Sequence, residues 1–448
     1  MSRQVKVLLT NTNRWQITVR VAIALAKAGC DVSVLCPAPG HPAQKSRAVR
    51  RTFRYGSSHP VESLLQAIQS SKPHIIIPCD DLAVQDLQRL YAQAEKQGMA
   101  ELAALIELSL GSHDSFPIVT SRFDLLRIAA EGGVLTPQTH VISGTEDIRS
   151  NCNMPFPWVL KADGTWGGSG VRVAHDRKEA EKQFLELSSN KGLFSTLKQL
   201  LTNRTRSSII SSWKRRAVPS VVAQSFIEGR PANCAVVCWK GQVLAGIGVE
   251  VISSHGAKGP AIVVRPVESA EMMQAAEIIA ARLNLSGFFG LDFMIESVSN
   301  LTYLIEMNPR CTPLSHLQLG ERKDLIGALI AELQGEVQRK LPPVTASEVI
   351  AYFPQAASCK SRFLETGFND VPDDGPALIE ALLYPWSERG VLGRVLDGIR
   401  RIFKEEAVVT EHIFAEAVRN REVESGHLAS VKSVPGKISN ADSIASVR

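Results

Sequence analysis

Gly290-Leu291-Asp292-Phe293-Met294 and, beyond the turn Ser297-Val298-Ser299-Asn300, Leu304-Ile305-Glu306-Met307-Asn308-Pro309-Arg310 are the two runs on which the reading of this chain turns. Both are strand-like, and the Ser/Asn turn between them makes them neighbours in a hairpin. Glu306 and Asn308 are two residues apart, so on a strand both side chains leave the same face. The hairpin brings Asp292 alongside them. Two acids among apolar residues are costly to bury unless they pair with or coordinate a cation. Asp, Glu and Asn supply only hard oxygen ligands, which suit Mg²⁺ (or Mn²⁺) bridging nucleotide phosphates and do not suit zinc. A half-buried polar cluster at a sheet edge is the competing description.

Upstream lies Leu160-Lys161-Ala162-Asp163-Gly164-Thr165-Trp166-Gly167-Gly168-Ser169-Gly170-Val171. A strand delivers a lysine, and a glycine-rich turn leads into the next strand. Gly164, Gly167, Gly168 and Gly170 lack Cβ atoms, so the backbone can bring N–H groups against phosphate oxygens, and Lys161 adds a point charge. The lysine precedes the glycines and a strand follows, so this is not a Walker A loop. An ordinary flexible turn has the same composition, and the segment alone does not choose between the two.

Working outward, the opening alternates strand and helix: strands over Val5–Leu9, Asp31–Cys36 and His74–Pro78, helices over Ile17–Ala28 and Val61–Ser70. That alternation predicts a parallel sheet covered by helices. The first turn, Thr10-Asn11-Thr12-Asn13-Arg14-Trp15, has no glycine and so lacks the dinucleotide fingerprint. Cys79-Asp80-Asp81 ends a strand, where α/β sheets place ligands; two solvated loop acids would read the same way. A helix is expected over Arg122–Ala130, antiparallel strands over 221–225, 233–239, 242–252, 287–295 and 301–307, and a helix over 272–283. Beyond Pro342-Pro343 several amphipathic helices are expected, then a Ser-rich disordered tail.

The chain has 448 residues, 44% of them hydrophobic, with 50 Lys+Arg against 45 Asp+Glu. This length supports two or three domains, and a net charge of +5 excludes an acidic or disordered chain and makes nucleic acid a poor partner. No apolar run is long enough to span a membrane. Eight cysteines without a CxxC pair suit reduced thiols in a cytoplasmic enzyme; Cys234 and Cys238 read as core. Between Leu187 and Ile227 there is no acid but seven basic residues, either a solvated helical insertion or a surface for an anionic substrate or carrier.

With these motifs in this order the chain resembles the ATP-grasp superfamily, over roughly residues 1–335. Its Asp at the first metal position is similar to D-alanine–D-alanine ligase; its N-terminal region and its Glu-Met-Asn-Pro-Arg run are similar to carbamoyl-phosphate synthetase and biotin carboxylase. The resemblance implies an α/β and α+β fold: a Rossmann-like pre-ATP-grasp domain (1–115), a two-lobed ATP-grasp domain (116–335, with the basic insertion at 187–219), and a helical C-terminal extension (340–422) before a tail (423–448). It implies that Lys161 and the loop Gly164, Gly167, Gly168, Ser169, Gly170 bind ATP phosphates, with Arg122 in the place of a phosphate-binding basic residue. Gln224, Ser225, Phe226 and Ile227 stand where the hinge backbone binds adenine, and Met294 where an apolar residue floors the purine. Asp292, Glu306 and Asn308 resemble the Mg²⁺ ligands, and Arg310 the cation that stabilises the transferring phosphoryl group.

The hinge departs from the family pattern, because Pro231 stands where a ribose-binding glutamate is usual; the ribose contact is then expected from Glu228 or Asn233, or is weaker. His316, His255, Lys258 and Arg265 are further substrate candidates, each with a structural role as the plainer account. The implied activity is an ADP-forming ligase that activates a small-molecule carboxylate as an acyl phosphate and joins it to an amine or other nucleophile, in a chain compatible with a homodimer. Other ATP-grasp chemistry (kinase or carboxylase), nucleotide binding without turnover, and a scaffold resting on the basic insertion and Val391–Phe403 are the rivals.

Overall fold

The structure, a computed structural model, describes residues 4–13, 15–37, 40–150, 154–165, 170–188, 220–256 and 259–383. Gly167, Gly168 and Ser169, nearly all of the basic insertion, Lys258, the stretch Val391–Phe403 and the C-terminal tail lie outside the described residues.

The first sheet is parallel, in the order β3-β2-β1-β4, from β1 (Lys6–Thr10), β2 (Asp31–Cys36), β3 (Arg51–Arg54) and β4 (Ile75–Pro78). Helix α1 (Ile17–Lys27) covers one face; α2 (Pro60–Ser71), α3 (Asp81–Lys96) and α4 (Ala100–Leu110) cover the other. With both faces buried, β1 and β4 read as unbroken apolar runs, Val7-Leu8-Leu9 and Ile75-Ile76-Ile77. Local chemistry starts the helices. Pro60 sits in the first turn of α2, where its missing N–H has no partner to lose, and Asp80 caps α3 by accepting from the Ala83 N–H at 2.9 Å. Polar β3 escapes periodicity reading because it is an edge strand guarded by arginines at both ends.

Helices α5 (Phe116–Thr120) and α6 (Arg122–Glu131) lead into a second sheet, antiparallel throughout, in the order β5-β8-β6-β7: β5 (Thr139–Ile142), β6 (Trp158–Ala162), β7 (Val171–Ala174) and β8 (Val221–Ser225). Helices α7 (Thr145–Ser150) and α8 (Arg177–Ser188) close one face around Trp158, whose indole N–H reaches the Met154 carbonyl at 2.9 Å. Its ring is fully buried and contributes roughly 2–3 kcal/mol through removal from water; Trp158→Ala would empty this small core.

The third sheet has seven strands, ordered β13-β12-β9-β10-β11-β14-β15: β9 (Gly229–Trp239), β10 (Gln242–Ser254), β11 (Ala261–Val267), β12 (Gly287–Glu296), β13 (Thr302–Asn308), β14 (Ile350–Tyr352) and β15 (Phe368–Asp370). One face packs Cys234, Val236, Cys238, Leu291 and Phe293 against α6 and α9 (Ala270–Leu283). Both cysteines are core residues, as their spacing suggested, and burial pushes the Cys234 thiol up to about 12. The opposite face shares one apolar core with α10 (Leu325–Gln334) and the first sheet, running from Leu9 and Val34 to Ile247, Val264 and Ile350. That shared core fixes the first sheet over the third and leaves the β9-β12-β13 end open.

After Pro342-Pro343 the expected helical texture is present in α11 (Gln355–Ser358) and α12 (Pro376–Leu383). The same stretch also adds β14 and β15, which pair in parallel and lengthen the third sheet beyond β11. Each is three residues long, too short to show a period. Among the described residues no helix is long and apolar enough to cross a membrane.

Candidate functional site

Three neighbouring strands put Asn233, Asp292 and Glu306 in one row, because Asn233 pairs in register with Asp292 and Asp292 with Glu306. Asn233 Nδ2 donates to Asp292 Oδ1 at 2.6 Å, and Asn308 Nδ2 to Asp292 Oδ2 at 3.2 Å. Simple alternation does not produce this row. Leu304 pairs with Phe293, yet the next pair is Glu306 with Asp292, so Ile305 is an extra residue in β13. The bulge keeps Leu304 in the core and still turns Glu306 to the open face. It also presents the Ile305 carbonyl, to which Lys161 Nζ donates across the two sheets at 3.1 Å.

Arg122, at the start of α6, ties the site together. Its Nη1 donates to the Ala162 carbonyl at 2.8 Å and Asp163 Oδ1 at 3.2 Å; its Nη2 donates to the Thr165 carbonyl at 3.1 Å and Glu306 Oε1 at 2.8 Å. Arg122 Nε is buried without a partner among the described residues. Burial opposes the guanidinium charge, but Glu306 and Asp163 together hold its pKa above the ordinary value. Lys161 is buried too: desolvation lowers its pKa and Arg122 adds to the fall, with Glu306 and Asp292 pulling the other way. Asp292 is pushed up to about 6, by burial first and by Glu306 second.

Two glycines of the turn are required by its own shape. Gly164 has φ +71°, where a side chain is strained. A Cβ on Gly170 would lie 2.0 Å from Thr165 Oγ1, which itself donates to the Ala162 carbonyl at 2.6 Å. At the hinge, the Ser225 N–H already donates to the Gln138 carbonyl at 2.9 Å and the Phe226 N–H to the Pro157 carbonyl at 3.2 Å. Two backbone donors of Gln224–Ile227 are therefore occupied inside the fold. The Gln224 side chain stands on the face of Lys161, since it pairs with Val159, and its Nε2 is buried without a partner among the described residues. Sequence reading valued Gln224 for its backbone and missed its amide. Met294 lies on the open face opposite Tyr303 and Pro231. Of the proposed ribose ligands, Glu228 is exposed, while Asn233 is committed to Asp292.

Arg310 is held by Asp81, with Nε donating to Oδ2 at 3.0 Å, and by Asn308 Oδ1, reached from Nη2 at 3.1 Å. Asp81, Asp80 and Asp292 raise its pKa against the effect of burial. The acids after Cys79 are thus neither solvated loop residues nor open ligands. Asp80 is a buried cap that also accepts from the Thr12 N–H at 2.6 Å and is pushed up to about 6, chiefly by desolvation. Asp81 anchors Arg310. His316 is drawn into a buried network with Arg20 and Asp370, and His255 lies 3.7 Å from the Cys359 sulfur. Arg265 is exposed on β11.

Among the described residues no three His, Cys, Asp or Glu side chains gather as a metal site; this cluster has two carboxylates and one amide. The donor set fits a hard divalent cation. All three groups offer oxygens, and two adjacent carboxylates, one with raised proton affinity, are a charge arrangement such a cation relieves.

A family model of the ATP-grasp domain matches residues 127–313. Solved structures of similar fold include N5-carboxyaminoimidazole synthetase from Staphylococcus aureus complexed with ADP (14% identity, 77% of this chain and 80% of that chain, TM-score 0.50). They include the biotin carboxylase domain of Hydrogenobacter thermophilus 2-oxoglutarate carboxylase with MgADP and bicarbonate (15%, 75% and 71%, 0.52). Phosphoribosylamine–glycine ligase from Thermotoga maritima is a third (17%, 76% and 78%, 0.51). Two sheets facing each other across a strand lysine and an acid row agree with that match, and the chain carries an ATP-grasp domain.

Proposed function

We propose that this protein is an ADP-forming ligase that activates a carboxylate with ATP and joins it to an amine. The observation that carries the reading is the register-fixed row Asp292–Glu306 with Asn308, faced across two sheets by Lys161 and Arg122. Phosphoryl transfer asks mainly for positioning and charge neutralisation, which this arrangement supplies. Asp292, Glu306 and Asn308 would hold Mg²⁺, which when bound neutralises phosphate charge. Lys161, with its charge buried and its proton weakly held, neutralises the α/β-phosphates. Arg122 exchanges its Glu306 contact for phosphate, with Nε as a further donor, and the Gln224 amide meets the base. Arg310, oriented by Asp81, stabilises charge on the transferring group.

In this reading a carboxylate oxygen attacks the γ-phosphorus as the bond to the β–γ bridging oxygen breaks, and ADP leaves with the electron pair. The amine then attacks the acyl carbon, the C–O bond to phosphate breaks, phosphate departs with that pair, and the amine proton passes to solvent. The fold similarity to phosphoribosylamine–glycine ligase supports the assignment, and the ADP and MgADP bound in the other two structures support ATP as the nucleotide. The domain division at about residues 115 and 335, a cytoplasmic setting suited to free buried thiols, a homodimer, and an anionic partner for the basic insertion belong to the same proposal. The test is a panel of carboxylates and amines scored for ADP release. Release that needs both partners supports the ligase. Release with a carboxylate or hydroxyl compound alone, or with none, overturns it.

A further inference from the structure

Each arginine beside the acid row holds an oxygen that the cation is expected to use. Arg122 Nη2 donates to Glu306 Oε1 at 2.8 Å, and Arg310 Nη2 donates to Asn308 Oδ1 at 3.1 Å. Asp292 differs, because it accepts from two neutral amides, those of Asn233 and Asn308. The Arg122 side chain is 12% exposed, that of Arg310 11% and that of Glu306 26%. Little water reaches these charges, so they are screened far less than charges on the surface.

The two arginines are anchored differently. Arg310 is tied to Asp81, and its partner on the row is a neutral amide, so a cation on Asn308 has no ion pair to break there. Arg122 is seated in the segment that opens the glycine-rich turn, where it reaches the Ala162 and Thr165 carbonyls and the Asp163 carboxylate. Glu306 lies on another sheet. Letting go of Glu306 therefore leaves Arg122 held in place.

A divalent cation and a guanidinium are rival partners for one carboxylate. Both are positive, and a cation on Glu306 would lie beside Arg122 in surroundings that screen poorly. A phosphate group removes the conflict, because its oxygens accept from a guanidinium in the same forked geometry as a carboxylate. It offsets the Arg122 charge and lends the cation oxygen ligands as well.

We infer that Arg122 makes cation binding at the acid row conditional on phosphate, by competing for Glu306 until a phosphate group draws it away. The inference rests on the reading of Asp292, Glu306 and Asn308 as cation ligands, and not on which chemistry follows. Coupling of this kind is reciprocal: the cation must strengthen phosphate binding as much as phosphate strengthens cation binding.

The experiment titrates the full chain with Mn²⁺ and follows the free ion by electron paramagnetic resonance, without nucleotide and at one fixed ADP concentration. Without nucleotide, wild type and Glu306→Gln should bind Mn²⁺ within threefold of each other. Arg122→Gln should bind it about tenfold more tightly, and adding Glu306→Gln to that variant should abolish the gain. With ADP, wild type should hold Mn²⁺ at least tenfold more tightly than Glu306→Gln. Thermal melts check that each variant folds. Nucleotide-free wild type binding Mn²⁺ tenfold more tightly than Glu306→Gln overturns the inference, whether or not Arg122→Gln folds. An unchanged affinity in folded Arg122→Gln, or a gain that survives in the double variant, overturns it too. If either result comes with the expected Glu306 effect in ADP, the cation ligands stand and only the role of Arg122 falls. Equal Mn²⁺ binding by wild type and Glu306→Gln in ADP removes both. The expected Mn²⁺ pattern without ADP release from any carboxylate and amine would sink the ligase and leave this inference standing.

Discussion

The acid row on β12 and β13 and the network of Arg20, His316 and Asp370 are both buried clusters of charge, but they are assembled in opposite ways. Asp292, Glu306 and Asn308 sit on one hairpin, and their juxtaposition follows from strand geometry plus a single bulge. Arg20, His316 and Asp370 are separated by 296 and 350 positions from the arginine, and only the packing of the first sheet on the third brings them together. The electrostatics differ as well. The network sets a carboxylate against an arginine and a histidine, whereas the row sets two carboxylates side by side and pushes Asp292 toward protonation.

The largest effect expected from this contrast is catalytic. Glu306→Gln should lower ATP turnover by roughly 10²–10³-fold, as for loss of one charge-stabilising group, while circular dichroism shows the fold retained. Wild-type turnover at ordinary Mg²⁺ would remove Glu306 from the metal set. Next in size is stability. Asp370→Asn removes the buried carboxylate that Arg20 and His316 both reach and should cost about 3–5 kcal/mol in chemical denaturation. Asp292→Asn should leave apo stability unchanged or higher, since it relieves the repulsion from Glu306. If the two variants lose equal stability, the contrast between the clusters fails.

A smaller effect separates binding roles. Lys161→Ala should weaken ATP and ADP binding about tenfold or more and AMP or adenosine much less, because its charge faces phosphate rather than base; isothermal titration with the four ligands decides this. Equal losses would make Lys161 a structural tie to the Ile305 bulge.

The smallest effect is in pH. Burial and the neighbouring Glu306 push Asp292 up to about 6 from an ordinary 3.8. Its contribution to stability is therefore greatest below about pH 4 and declines as pH rises through about 6, by at most about 3 kcal/mol. Asp80 adds a slope of the same sign, so Asp292→Asn should flatten the decline only in part. Protons and Mg²⁺ compete for the carboxylate, so Mg²⁺ should raise the melting temperature more above about pH 7 than at about pH 5. A Mg²⁺ effect equal at both would place the cation elsewhere.

What could be read from the chain alone had a short range. The alternation of β1, α1 and β2, the strand–glycine–strand segment after Lys161, and the same-face spacing of Glu306 and Asn308 each lie within a few residues, where periodicity and turn chemistry act. Those features were enough for an ATP-grasp reading and for most of the candidate site residues. The bulge at Ile305, the pairing of Asn233 with Asp292, the capture of Arg310 by Asp81 and the addition of β14 and β15 to the third sheet had no local signal. Each depends on which strand lies beside which, and that was decided by burying one continuous apolar core between the first and third sheets. Local preference sets the elements of this protein. Long-range burial sets their neighbours, and with them the charge each buried side chain must answer.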